Sequence, residues 1–369
     1  MPGPDEASSS STSPRSPLAV YRTFLLHNAA QISSVESALR SLSYFLPGRF
    51  ADADLASEGL FAVVNLISLY HDRILYDAVK QSGTEYKATL ANQYHRHWQA
   101  ESPLVHYTSL ALTLFQTVEG VCEMAAAKRW SEKRRWDLIF GIEAVKALLR
   151  LTLVARTRQI GLTPATTERD IDPAMVASLP DPSMAQDASS TLYRGSRSGV
   201  KLPSVSAMGP DAQPMWKEYL PSKAVRTAFR SPANLLSRLQ GNRSVGELLF
   251  ILRPLVYVYL LRKHGRQSWL PIAVSAIVEA AAYFLVTRTA SSRGAATMPT
   301  RLERDEYKRR AYNFMFYLLR GPVYDNVSKN VLNSFCETME NKPILRLFSG
   351  IVRDYQPLWE HVYFYTSGS

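Results

Sequence analysis

Cysteine is scarce in this chain: Cys122 and Cys336 are the two in 369 residues and stand far apart, which excludes a disulfide-dense secreted scaffold. Strand-like alternation is rare. An RNP-type strand pattern, zinc-finger spacing and a Gly-rich phosphate loop are all lacking, which removes the common nucleotide and nucleic-acid modules. The net charge of +11 and pI of about 9.6 attract polyanions, and without such a module anionic lipid is the better match than nucleic acid. Residues 1–17, MPGPDEASSSSTSPRSP, are Ser/Pro-rich rather than apolar. A secretory signal is therefore not expected, and the chain reads as reducing and cytosol-facing.

What is present is apolar and helical. Hydrophobic residues make up 46% and aromatics 11%, enough for a substantial core. From Tyr21 to Phe45 apolar residues recur at threes and fours until Pro47-Gly48 stops the helix. A second helix starts near Asp54, a good N-cap, and folds back on the first as a hairpin. A third covers residues 104–127 and is followed by the basic run Lys128, Arg129, Lys133, Arg134 and Arg135. Between Gly161 and Ser244 nine of the 21 prolines occur amid Ser, Asp, Thr and Gly, a composition that cannot offset its ordering entropy and predicts a mostly disordered linker. Short helices at Met215–Tyr219 or Pro232–Leu239 are compatible with it. Apolar helices resume at Val245, turn at Arg262, Lys263, His264, Gly265 and Arg266, and give way to aromatic segments that end in PLWEHVYFY.

Two segments bear on membranes. In residues 138–155 ten large apolar residues favour insertion by about 3 to 6 kcal/mol in all, whereas three central charges cost about 2.5 to 3.5 kcal/mol each. A lone span loses. Glu143, Lys146 and Arg150 fall at steps of three and four, however, so they stack on one face with alternating sign. That stripe either faces water in a soluble bundle, or meets other helices or headgroups while the opposite face meets lipid. Residues 269–286 carry one charge, Glu279, whose cost the apolar residues roughly cancel at about 2.5 to 5 kcal/mol. Eighteen residues are just long enough to span.

Sites of chemistry are hard to find. His71 and Asp77 in HDRILYD enclose five residues where four would let a carboxylate orient an imidazole base, so helix-surface polarity is the simpler reading. His95 and His97 lack a completing ligand set, so no metal is expected. No Ser nucleophile elbow is found. Trp359, Tyr363, Phe364 and Tyr365 read first as core or interface-belt residues and second as a partner anchor, and Phe314, Phe316, Tyr317 and Leu318 are read the same way before RGPVYD ends their helix.

Six stretches in order, LPGRFADADLASEGLFAVVNLISLYHDRIL, EMAAAKRW, ELLFILRPLVYV, SWLPIAVSAIVE, FYLLRGPVYD and LWEHVYFY, make the chain resemble the peroxin-16 family of peroxisomal membrane biogenesis proteins. The likeness covers about residues 21–159 and 244–366. It implies an integral or tightly attached protein of the peroxisomal membrane, without catalytic activity or cofactor. Family members help insert other peroxisomal membrane proteins and recruit peroxin-3, which receives cargo from the shuttle peroxin-19. Some travel through the endoplasmic reticulum, and fungal members bear more on division. Animal members carry a dense basic run after the HDRIL equivalent, where YDAVKQSG offers only Lys80. Any basic targeting element is better placed at Lys128, Arg129, Lys133, Arg134 and Arg135.

The expectation is an all-α, membrane-associated helical bundle in two blocks separated by a long disordered linker. After a disordered tail over 1–18, the N-terminal block covers 19–160 with a first membrane segment at about 136–156. The linker covers 161–244. The C-terminal block covers 245–369 with a second membrane segment at about 269–286 and Glu279 within it. Expected partners are peroxin-3, peroxin-19, client membrane proteins and lipid, with both termini cytosolic. The alternatives are a soluble helical adaptor and a membrane-bound enzyme.

Overall fold

The computed structural model describes residues 17–47, 49–50, 52–82, 86, 88–177, 192–194, 201–203, 232–265, 267–291, 299–315, 317, 321–340 and 345–361. Helices dominate: α1 (Pro17–His27), α2 (Ala29–Phe45), α3 (Ala53–Ser82), α4 (Leu90–Glu101), α5 (Pro103–Arg129), α6 (Glu132–Thr157) and the short α7 (Pro173–Ala177). After an antiparallel pair, β1 (Leu192–Arg194) and β2 (Lys201–Pro203), come α8 (Asn242–His264), α9 (Trp269–Ser291), α10 (Arg301–Phe314), α11 (Lys329–Glu340) and α12 (Leu345–His361).

The boundaries follow local chemistry. The periodic run expected as one helix from Tyr21 is divided at Asn28, whose side chain binds the Phe24 carbonyl at 3.0 Å. Thr89 caps α4 through the Asn92 amide. Pro103 sits at the first position of α5, where its missing N–H costs nothing. Thr300 and Glu303 form a reciprocal capping box on α10. Gly265, at φ 79°, ends α8 in a conformation that glycine tolerates. Gly321 and Pro322, expected from the sequence to end a helix, open one: Gly321–Val323 runs through a π turn at Tyr324–Ser328 into α11, because proline fits a first helical turn better than an interior.

The chain divides into two compact units. The first comprises residues 1–38, 67–86 and 171–213. Its core joins Leu25 of α1, Ile74, Leu75 and Val79 of α3, Ile171, and Val176 of α7. Here His71 corrects the sequence reading. It is 4% exposed rather than on a helix surface, with Nδ1 on the Glu36 carboxylate and Nε2 2.6 Å from the Tyr21 hydroxyl, while Ser68 donates to Glu36 at 2.9 Å.

The second unit holds the rest of the chain. The α8–α9 hairpin is its most extensive helix pair, α6 packs on both α5 and α8, and α4 packs on α5. Ile139 of α6 thereby shares a core with Tyr257, Val258 and Leu261 of α8 and Ile272 of α9. Tyr317 joins that core and its hydroxyl lies 2.6 Å from Ser275 Oγ, in keeping with a packing role. Gly246 lets α8 and α9 approach: a Cβ there would lie 2.9 Å from Val286 Cγ2 and 3.0 Å from the Ala282 carbonyl oxygen.

The stretch expected as linker is built into the fold at both ends. Ala165 and Leu236 are buried, Leu236 in a cluster with Tyr94, Leu302 and Ile160, the residue just before the linker. Gln159 donates to the carbonyls of Ala233 and Leu236, both at 2.7 Å. A 3-10 turn forms at Pro232–Asn234, whereas Met215–Tyr219 lies outside the described residues.

Among the described residues four helices are long and apolar enough to cross a membrane: α3, α5, α8 and the Trp269–Val286 part of α9. Only 22% of the apolar window in each of α3 and α5 is buried, which leaves a broad surface for lipid. The α6 segment at 136–156 is not among the four, because its charges exclude it.

Candidate functional site

Helical spacing brings charged side chains of α5 and α6 together inside the second unit. Lys146 is 1% and Glu143 4% exposed. The Lys146 ammonium lies 2.9 Å from Glu143 and 2.5 Å from Glu119 of α5. Arg135, one turn into α6, reaches back to Glu123 of α5 at 2.8 Å. Arg150 is partly buried beyond them and lines a small cavity. The stripe of Glu143, Lys146 and Arg150 therefore turns toward neighbouring helices, with Leu148 on the outward face.

Glu279 is resolved in the same way. Its carboxylate lies 2.7 Å from Arg253 of α8, and both side chains are buried. Sequence reasoning weighed Glu279 as an isolated cost and missed this partner. The arginine in FILRPLVYV was the available signal, a charge inside an apolar run facing another such run.

A third group was missed altogether. Arg310 of α10 donates to both oxygens of Glu247 of α8 at 2.7 and 2.9 Å, to Glu306 at 3.2 Å and to the Gly161 carbonyl at 2.9 Å. Its guanidinium also lies 3.9 Å from the centre of the Phe250 ring. The Glu247 and Glu306 carboxylates outweigh burial and raise its already high pKa. Glu247 accepts the Gly161 amide at 3.0 Å, and Glu306 accepts the Thr163 amide at 3.3 Å. Glu303 binds the Ser237 amide at 2.8 Å and Arg243 at 3.3 Å. These carboxylates thus fasten both ends of the expected linker to α8 and α10.

The basic run does not form one surface. Lys128, Arg129, Lys133 and Arg134 are exposed around the α5–α6 turn, and Lys128 pairs with Asp52. Arg135 is withdrawn onto Glu123. The side chain of Trp359, and Tyr363, Phe364 and Tyr365, lie outside the described residues.

Beside Arg310, His95, Trp98, Arg150 and Glu247 line a cavity of about 60 Å³, room for a few waters rather than an organic substrate. Among the described residues no three His, Cys, Asp or Glu side chains form a group that could hold a metal. His95 is a buried structural residue. Desolvation lowers its pKa to about 4, opposed by a hydrogen bond to the backbone of Pro164. The unfolded chain therefore binds more protons than the folded one as pH falls from about 6.5 toward about 4, and stability is lost through that window. Between pH 7 and pH 4.5 the loss is on the order of 2 kcal/mol. Thermal unfolding of detergent-solubilised protein at pH 7 and pH 4.5 measures it, and His95→Gln is expected to remove this share of the acid sensitivity.

The geometry is that of a helical scaffold in which several buried charges pair with one another and the apolar windows of α3 and α5 stay largely exposed. The family model described as peroxisomal membrane protein (Pex16) matches residues 19–361. Over 378 residues the chain is 23% identical to "Peroxisome biogenesis protein 16" of Arabidopsis thaliana, covering 95% of this chain and 99% of that one. Over 417 residues it is 24% identical to "Peroxisome biogenesis factor 16" of Dictyostelium discoideum, covering 96% and 100%. Over 347 residues it is 22% identical to "Peroxisomal membrane protein PEX16" of Schizosaccharomyces pombe, covering 89% and 92%. No solved structure matches. With nearly its whole length matched, the chain belongs to the Pex16 family of peroxisomal membrane proteins.

Proposed function

We propose that this chain acts in peroxisome biogenesis as a docking protein of the peroxisomal membrane. It helps insert other membrane proteins and recruits peroxin-3, which takes cargo from peroxin-19, and it performs no bond-making chemistry. Arrival through the endoplasmic reticulum, cytosolic termini and a part in division belong to the same reading. One observation carries it: four apolar helices long enough to cross a bilayer sit beside charges that pair with one another, in a chain of this family. Apolar faces then hold the protein in lipid while helical grooves and the exposed basic turn remain for partners and headgroups.

The test is rescue of cells lacking the chain. The null is expected to lose or misshape its peroxisomes and to misplace peroxin-3, and the wild-type chain is expected to restore both. A variant with Lys128, Arg129, Lys133 and Arg134 changed to Gln, and with the buried Arg135 kept, is expected to reach peroxisomes poorly. Normal targeting of that variant would remove the basic turn from the account. Intact peroxisomes with only a metabolite defect in the null would favour an enzyme.

A further inference from the structure

We propose that the cavity between α8, α9 and α10 holds part of one acyl chain of an anionic glycerophospholipid whose phosphate is bound by Arg304 and Lys308. This rests on the membrane location in the proposed function and goes beyond it by naming a site and a ligand.

The cavity measures about 250 Å³ and is walled by Gly246 and Phe250 of α8, Tyr283 and Val286 of α9, and Ala311 and Phe314 of α10. At about 30 Å³ per heavy atom, the share of a water in the liquid, it accommodates on the order of eight atoms in a row. That suits a stretch of hydrocarbon chain. A client helix, about 10 Å across with its side chains, does not fit. Two charged residues also border the space, but both are already neutralised, Glu279 by Arg253 and Arg310 by Glu247 and Glu306. The interior therefore offers an apolar guest no unpaired charge.

Position selects a lipid. The lining runs from Gly246 and Phe250 in the first half of α8 to Glu279, Tyr283 and Val286 in the second half of the apolar stretch of α9, so the cavity lies toward one end of both helices. On α10, Arg304 and Lys308 stand one turn apart, and each lies three or four residues from a cavity-wall residue, Tyr307 and Ala311, which places the two cations on the edge of the face that walls the cavity. Arg304 and Lys308 are exposed and have no ion-pair partner among the described residues, with Asp305 the one exposed carboxylate between them. Beyond them, Tyr312 and Met315 are 76% and 60% exposed. A helix that is basic and then aromatic, beside an apolar slot, is built to meet headgroups and acyl chains together.

The probe is phosphatidylserine with a diazirine near the middle of one acyl chain, present as a minor component in phosphatidylcholine nanodiscs holding the full chain, with crosslinked peptides mapped by mass spectrometry. The expected result is labelling of Tyr283 and Phe314 and their neighbours. In the double variant Arg304→Gln, Lys308→Gln that labelling should fall about tenfold to thirtyfold, while labelling of α5 stays unchanged. Labelling of α3 and α5 without any at the cavity walls would overturn the site and leave the membrane reading standing. Cavity labelling insensitive to the double variant, and matched by a diazirine fatty acid, would overturn the phospholipid. Labelling nowhere would overturn both.

Discussion

Replacement of Arg310 by Met is expected to destabilise the protein by about 3 to 5 kcal/mol, the cost of breaking a buried ion pair from one side. The change strands Glu247, 1% exposed, and Glu306, 4% exposed, without their shared cation. It also removes the donor to the Gly161 carbonyl, so the segment after α6 loses one of its ties to α8 and α10. Thermal unfolding in detergent measures the loss, and protein levels in cells are expected to drop with it. The triple variant Arg310→Met, Glu247→Gln, Glu306→Gln is expected to recover most of the stability, because Gln side chains keep acceptors for the Gly161 and Thr163 amides without stranded charge. Failure of that recovery would show that the loss came from packing against Phe250 instead.

Lys146→Met is expected to be comparably damaging, at about 3 to 5 kcal/mol. Lys146 stands between Glu143 and Glu119, and without it two carboxylates face one another where α5 and α6 pack. The outcome is separation of α5 from α6, detected as protease cutting near the α5–α6 turn and as aggregation on solubilisation. Lys146→Arg, which keeps the charge, is expected to retain membrane insertion with a smaller loss. A stable, well-inserted Lys146→Met protein would mean that the stripe is solvated.

Periodicity made the helices legible. The expected 104–127 helix matches α5, and the apolar runs after Val245 match α8 and α9, because a regular apolar face leaves its spacing in the sequence. Pairing between helices leaves no such trace. Arg310 and Glu247 are 63 positions apart and His71 and Glu36 are 35 apart, so the first pair left no signal at all and His71 read as surface polarity. The linker ends were hidden for a related reason: Ile171, between two Asp residues, and Leu236, beside Leu235 in a short stretch with Pro and Ser, are too few to show a period, and they are buried against residues distant in sequence. Arg135 was grouped with its neighbours by sequence proximity, whereas one turn of α6 sends it inward to Glu123. The apolar character of α3 and α5 as possible spans was diluted by charges near their ends.

Apolar helix faces outmatch the charges because buried charges pair with one another inside the protein. Alkaline carbonate extraction of membranes carrying the full-length chain tests it most directly. The chain is expected to stay in the membrane pellet and to float with lipid on a density gradient. Release of the chain into the supernatant, as a soluble monodisperse protein that does not bind liposomes, would contradict it.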